Sequence, residues 1–142
     1  MTRRAADRSA PSDRPPGPRT GLLAVVILVS WLGFAVHNAM ELPAPVWLRP
    51  DTIGPTAVYL LLGAGMLSPW RRPATWLLLG WGWLQAVGGG VLSVLPLPLW
   101  PFQPERSLPH YVAHAIYAAA QVPLLVALTR ARRRRDPVPA GL

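Results

Sequence analysis

Four long apolar stretches, Gly21–Leu42, Ile53–Ser68, Ala74–Leu95 and Leu108–Thr129, alternate with short segments that hold nearly all of the charge and most of the proline. Each stretch is read as one helix crossing a hydrocarbon core of about 30 Å, at about 1.5 Å rise per residue. The pattern predicts an all-α membrane protein: a four-transmembrane-helix bundle with short loops, spanning residues 21–129 between a basic tail at 1–20 and another at 130–142. Half of the residues are hydrophobic. A water-soluble surface of this size does not confine its charges to tails and turns.

The punctuation between the stretches fits helix ends. Pro43 stops the first stretch, and Pro45 and Pro50 stiffen the loop after it. Asp51 or Thr52 is expected to cap the second helix, with Pro55 in its first turn. Ser68-Pro69-Trp70-Arg71-Arg72-Pro73 reads as a tight turn into the third. The loop 96–107 holds Pro96, Pro98, Pro101 and Pro104 around Trp100 and Phe102, and is expected to lie as a stiff apolar lid. Ser107 is the expected cap of the fourth helix. Trp47, Trp70, Trp76 and Trp100 fall where interfacial aromatic belts form, whereas Trp31, Trp81 and Trp83 are expected to pack deeper.

Charge then sets the orientation. The basic residues are all Arg: five in the first tail, two in the Arg71-Arg72 turn and five after the fourth helix, against Arg49 and Arg106 alone in the other two loops. Arg excess marks the cytoplasmic side, so both termini are expected to be cytoplasmic in a cell membrane, with lipid as the immediate surroundings. The formal charge of +8 therefore reads as a topology signal and not as a nucleic-acid surface, which needs its cations on one folded face. The first tail has four prolines and no apolar periodicity, and is expected to be disordered. With no Cys, disulfides and thiolate metal sites are excluded. The Arg, Pro and Ala bias suggests GC-rich bacterial coding.

Two polar stripes interrupt the apolar helices. At 100° per residue His110, His114, Tyr117 and Gln121 share an arc of about 60° on the fourth helix, and Ser30, His37 and Glu41 share a comparable arc on the first. Polar groups in a bilayer turn toward the bundle interior and toward one another, which brings His37, Glu41, His110 and His114 together beneath the 96–107 loop. Asn38, Tyr59, Tyr117, Gln85 and Gln121 are the supporting polar residues, Gln85 within reach of Gln121 or of a second protomer. His110 and His114, spaced i and i+4, can grip one divalent ion, with zinc, copper or iron all compatible with nitrogen and carboxylate donors. The same residues suit a b-type haem between His37 and one of the other two His, with Gly88-Gly89-Gly90 giving it room. Gly82, Ala86 and Gly90 form a small-residue seam for a close helix contact, within the bundle or in a homodimer.

The leading expectation is a metal- or haem-binding membrane subunit. Two others stand beside it: an accessory subunit of a larger membrane complex in which the cluster is structural bracing, and a proton-coupled transporter acting as a homodimer. Without an HExxH, a nucleophile turn, a phosphate loop or an acidic pair, no catalytic residue is assigned. The four-helix layout resembles the small multidrug-resistance transporters, which use a first-helix Glu and dimerise. Glu41, however, ends its helix instead of standing mid-helix, and the residues around it depart from that family's pattern. Small oxidoreductase-associated four-helix membrane proteins are a looser likeness with no shared motif, and no family is assigned.

Overall fold

The structure, a computed structural model, describes residues 18–98 and 104–134. These form helices α1 (Pro18–Glu41), α2 (Pro50–Gly65), α3 (Arg71–Trp83) and α4 (Leu108–Arg133). A 3-10 turn at Val46–Leu48 precedes α2; a π-helical segment, Leu84–Gly89, and a 3-10 turn at Leu92–Val94 follow α3. Among the described residues there is no strand. Three segments, Thr20–Glu41, Arg71–Val94 and Leu108–Arg133, are long and apolar enough to cross a membrane. Large apolar side chains such as Leu60, Leu61, Leu67, Leu77 and Leu84 point outward and are more than half exposed, as lipid-facing side chains do. The expected terminal tails and the tip of the 96–107 loop, Trp100 and Phe102 included, lie wholly or mainly outside the described residues.

Proline chemistry sets several boundaries. α2 begins at Pro50, earlier than the expected Asp51 or Thr52 cap, because proline at the first helical position loses nothing by lacking an amide hydrogen. Deeper in that helix Pro55 cannot donate to the Asp51 carbonyl four residues back. The Asn38 side-chain amide of α1 takes that carbonyl instead, donating at 3.2 Å and also bonding Thr52 Oγ1 at 3.0 Å. Ser107 caps α4 as expected, its hydroxyl accepting from the His110 amide at 3.3 Å. That helix continues to Arg133, past the expected end at Thr129, and Arg132 lies over the Trp76 ring 3.3 Å from its centroid, a cation–π contact.

The third stretch is not one uninterrupted α-helix. After Trp83 it widens into the π segment, closed by the Gly90 amide donating to the Gln85 carbonyl at 2.9 Å. This widening brings the glycine run against α4. A Cβ at Gly89 would stand 2.8 Å from the Tyr117 ring, and one at Gly90 would stand 2.6 Å from Ala118 Cβ. With Gly82 against Leu124 and Leu125, the expected small-residue seam of Gly82, Ala86 and Gly90 faces inward. Trp83, expected to pack, is 55% exposed.

Sequential helices run antiparallel. Glu41 meets His110 and Ser30 meets Gln121 between α1 and α4, and Asn38 meets Thr52 between α1 and α2. Met66 meets Thr75 at the α2–α3 turn, and Gly82 meets Leu125 between α3 and α4. Inside the resulting bundle the chemistry is layered. At the α2–α3 turn end Val26, Leu78, Leu79, Leu124 and Leu128 form a dry apolar core. Toward the other end the buried positions of α1 and α4 become polar at the same three- and four-residue steps. α1 packs closely on α4 at Gly33, whose missing Cβ leaves room for Ala120. Gly33→Val is therefore expected to lower stability by about 1–3 kcal/mol, the usual cost of overpacking. Gly63→Val, where nothing lies within 4 Å, is expected to be near neutral, and thermal unfolding of both variants in detergent checks the contrast.

Candidate metal site

In the first polar layer above the core, Ser30, Tyr59 and Gln121 satisfy one another. Ser30 and Gln121 are completely buried and Tyr59 nearly so. The Gln121 carbonyl accepts from the Ser30 hydroxyl and from the Tyr59 hydroxyl at 3.0 Å, and the two hydroxyls lie 2.8 Å apart. Its amide donates to the carbonyls of Ser30 and Tyr117 at 3.1 and 3.3 Å. Tyr59, expected as a support of the histidine cluster, belongs to this deeper layer with Ser30 and Gln121. Gln85 is buried as expected but does not bond Gln121, whose capacity is taken up by Ser30, Tyr59 and Tyr117; Gln85 Nε2 has no hydrogen-bond partner.

Above Phe34 and Tyr117 comes a pair of imidazoles. His37 Nε2 and His114 Nε2 face each other at 3.0 Å, with ring centroids 4.3 Å apart. Each ring is tied from behind. The widened end of the third stretch presents the Gly89 carbonyl 2.8 Å from His114 Nδ1, with Ser93 Oγ at 3.3 Å. Asn38 Oδ1 lies 3.1 Å from His37 Nδ1. Asn38 thus links the carbonyl freed by Pro55 to the orientation of His37.

The mouth of the bundle, at the α1–α2 and α3–α4 connections, holds the third histidine. His110 Nδ1 is 2.6 Å from Glu41 Oε2, both side chains being largely buried, and its ring packs on His114 with centroids 4.5 Å apart. Glu41, Glu105 and His110 each place a ligand atom within 4.8 Å of the others, a set that can hold a metal ion. Arg49 pairs with Asp51 at 3.2 Å instead of with Glu41.

The two stripes do meet, and all three histidines gather at one end. They divide, however, into the mouth group of Glu41, Glu105 and His110 and the deeper pair of His37 and His114. Glu105 lies in the loop before α4, off the helical stripes that point to the other ligands. Its signal in the sequence is charge: outside the two tails the chain has three acidic residues, Glu41, Asp51 and Glu105, all in or beside the two loops on the histidine side. A b-type haem does not fit here. The His37 and His114 rings touch directly, and the glycine run expected to give room is filled by Leu84, Tyr117 and Ala118. A cavity of about 1020 Å³ lies elsewhere, between α1 and α2 along Leu23, Ile27, Trp31 and Leu60.

No protein-family model matches the chain, and neither a curated protein nor a solved structure is significantly similar to it.

Proposed function

We propose that this chain is a small polytopic membrane protein that binds a divalent transition metal at the mouth of its bundle. The observation that carries the reading is the mouth group: two carboxylates and an imidazole with ligand atoms within 4.8 Å of one another, on helices that expose large apolar side chains. Carboxylate and imidazole donors without thiolate suit ions of the zinc, iron and manganese type. The proposal includes four crossings with both termini cytoplasmic, so that the mouth opens to the outside. The arginine distribution supports that orientation. α2 has only 16 residues, about 24 Å at 1.5 Å per residue. Near its start it bonds Asn38 of α1, and Gly63 and Ala64 near its end line a crevice that Thr20 of α1 also lines. Lipid can thin locally around so short a helix.

Equilibrium dialysis of the detergent-purified chain against Zn2+ tests the metal reading. One ion per chain is expected, with affinity weakened at least about tenfold in the Glu41→Gln/Glu105→Gln double variant, the scale on which ligand and supporting-shell changes act. Failure of the wild type to retain Zn2+, or equal retention by the double variant, would contradict it.

A further inference from the structure

The end of the bundle opposite the mouth carries two apolar grooves that meet at one arginine. The larger, about 1020 Å³, runs between α1 and α2 from Thr20, Ser68 and Arg71 to Trp31 and Thr56. Leu28, Leu60 and Leu67 on its wall are more than half exposed, so it lies open on the side of the bundle. Its inner polar groups already have partners: Trp31 Nε1 donates to Thr56 Oγ1 at 3.2 Å, the Tyr59 hydroxyl donates to Gln121, and the Ser68 hydroxyl donates to the Gly65 carbonyl at 2.9 Å. The groove therefore suits a hydrocarbon chain along its length and a polar group at its Arg71 end.

The second groove, about 430 Å³, lies between α1 and α4, from Arg130 and Arg134 at one end to Val26 and Pro123 at the other. It shares Leu23 and Arg71 with the first. Length identifies what fits. From Thr20 to Trp31 the first groove follows α1 for about 16 Å at 1.5 Å per residue, and half of a hydrocarbon core of about 30 Å is about 15 Å. That is the depth of the acyl chains of one leaflet. Charge identifies the head group. Arg71, Arg130 and Arg134 converge where the grooves begin, and among the described residues every carboxylate, Glu41, Asp51 and Glu105, belongs to the other end of the bundle. Guanidinium groups without a protein anion are matched to a phosphate by charge and by their paired N–H donors.

We propose that this end of the bundle is a binding site for one anionic phospholipid of the surrounding bilayer, with its phosphate on Arg71, Arg130 and Arg134 and one acyl chain in each groove. The site differs from the diffuse attraction of basic tails to an anionic surface, because Arg71 lines both grooves whereas its neighbour Arg72 lines neither. It stands at the far end from the mouth and is independent of the metal reading.

Native mass spectrometry of the full chain in detergent, titrated with phosphatidylglycerol, tests the site. One lipid per chain is expected, held at least about fivefold more tightly than phosphatidylcholine, the weight of about one arginine at an anionic surface. Arg71→Gln is expected to weaken it about fivefold and Arg72→Gln, with the same net charge, to leave it unchanged. The chains are tested separately. Gly63 lines the first groove and has nothing within 4 Å of its Cβ position, so Gly63→Phe fills the groove without a clash, whereas Gly80, equally open, lines neither. Gly63→Phe, and Val126→Trp in the second groove, are expected to expel the lipid, and Gly80→Phe to retain it. Equal weakening by Arg71→Gln and Arg72→Gln, retention in either groove-filling variant, equal binding of phosphatidylcholine, or displacement of the lipid by inorganic phosphate at equal concentration would overturn the inference.

Discussion

Replacing His110 with alanine is expected to abolish the stabilisation that Zn2+ gives this protein. His110 is the imidazole of the mouth group, and its ring stands against the Glu41 carboxylate and against His114 beneath it. Zn2+ at 100 times its dissociation constant stabilises a one-site protein by about 2.7 kcal/mol, through preferential binding to the folded state. Thermal unfolding in detergent, with and without Zn2+, should show that gain in the wild type and none in His110→Ala. His37→Ala is expected to retain it, because the mouth group stays whole. An equal gain in wild type and His110→Ala would place the bound ion elsewhere.

The largest loss of stability from a polar change is expected at Gln121. Leucine at this position removes the acceptor of two hydroxyls and the donor to two carbonyls in a layer that water does not reach. Hydrogen bonds between membrane helices contribute about 0.6–1.7 kcal/mol each, and a buried hydroxyl left without its acceptor costs about 1–3 kcal/mol. Ser30 and Tyr59 can still bond each other at 2.8 Å, which caps the loss, so a net cost of about 2–3 kcal/mol is expected. Removing the stranded hydroxyls as well, in Gln121→Leu/Ser30→Ala/Tyr59→Phe, should return much of that loss, since an apolar layer needs no partners. Unfolding measurements on the single and triple variants check both halves of the argument. A neutral Gln121→Leu, or a triple variant worse than the single one, would show that the layer does not act as a network.

The parts of this molecule legible in its sequence are those that follow helical periodicity. Val26, Ser30, Phe34, His37 and Glu41 step along α1 at three- and four-residue intervals, and Leu128, Leu124, Gln121, Tyr117, His114 and His110 step along α4 likewise. The meeting of the two stripes follows from keeping polar groups out of lipid. What periodicity could not supply was relative depth and backbone detail. Tyr59 sits with Ser30 and not with the histidines because α2 starts at Pro50, a shift of a few residues that moves a side chain by half a turn or more. The π widening after Trp83 has no signature beyond Gly88-Gly89-Gly90, and these glycines suggested empty space when they mark close packing on Tyr117 and Ala118. It is this widening that presents the Gly89 carbonyl to His114. The carbonyl freed by Pro55 was implicit in the sequence, whereas its capture by Asn38 required the three-dimensional register of α1 against α2.

Native mass spectrometry of the detergent-released full chain, titrated with Zn2+, bears most directly on the claim that this bundle is built around a metal. The account expects one Zn2+ adduct per chain at equimolar metal, kept in Gly63→Val and lost in His110→Ala. A chain that takes up no Zn2+, or takes it up equally in all three proteins, would contradict it.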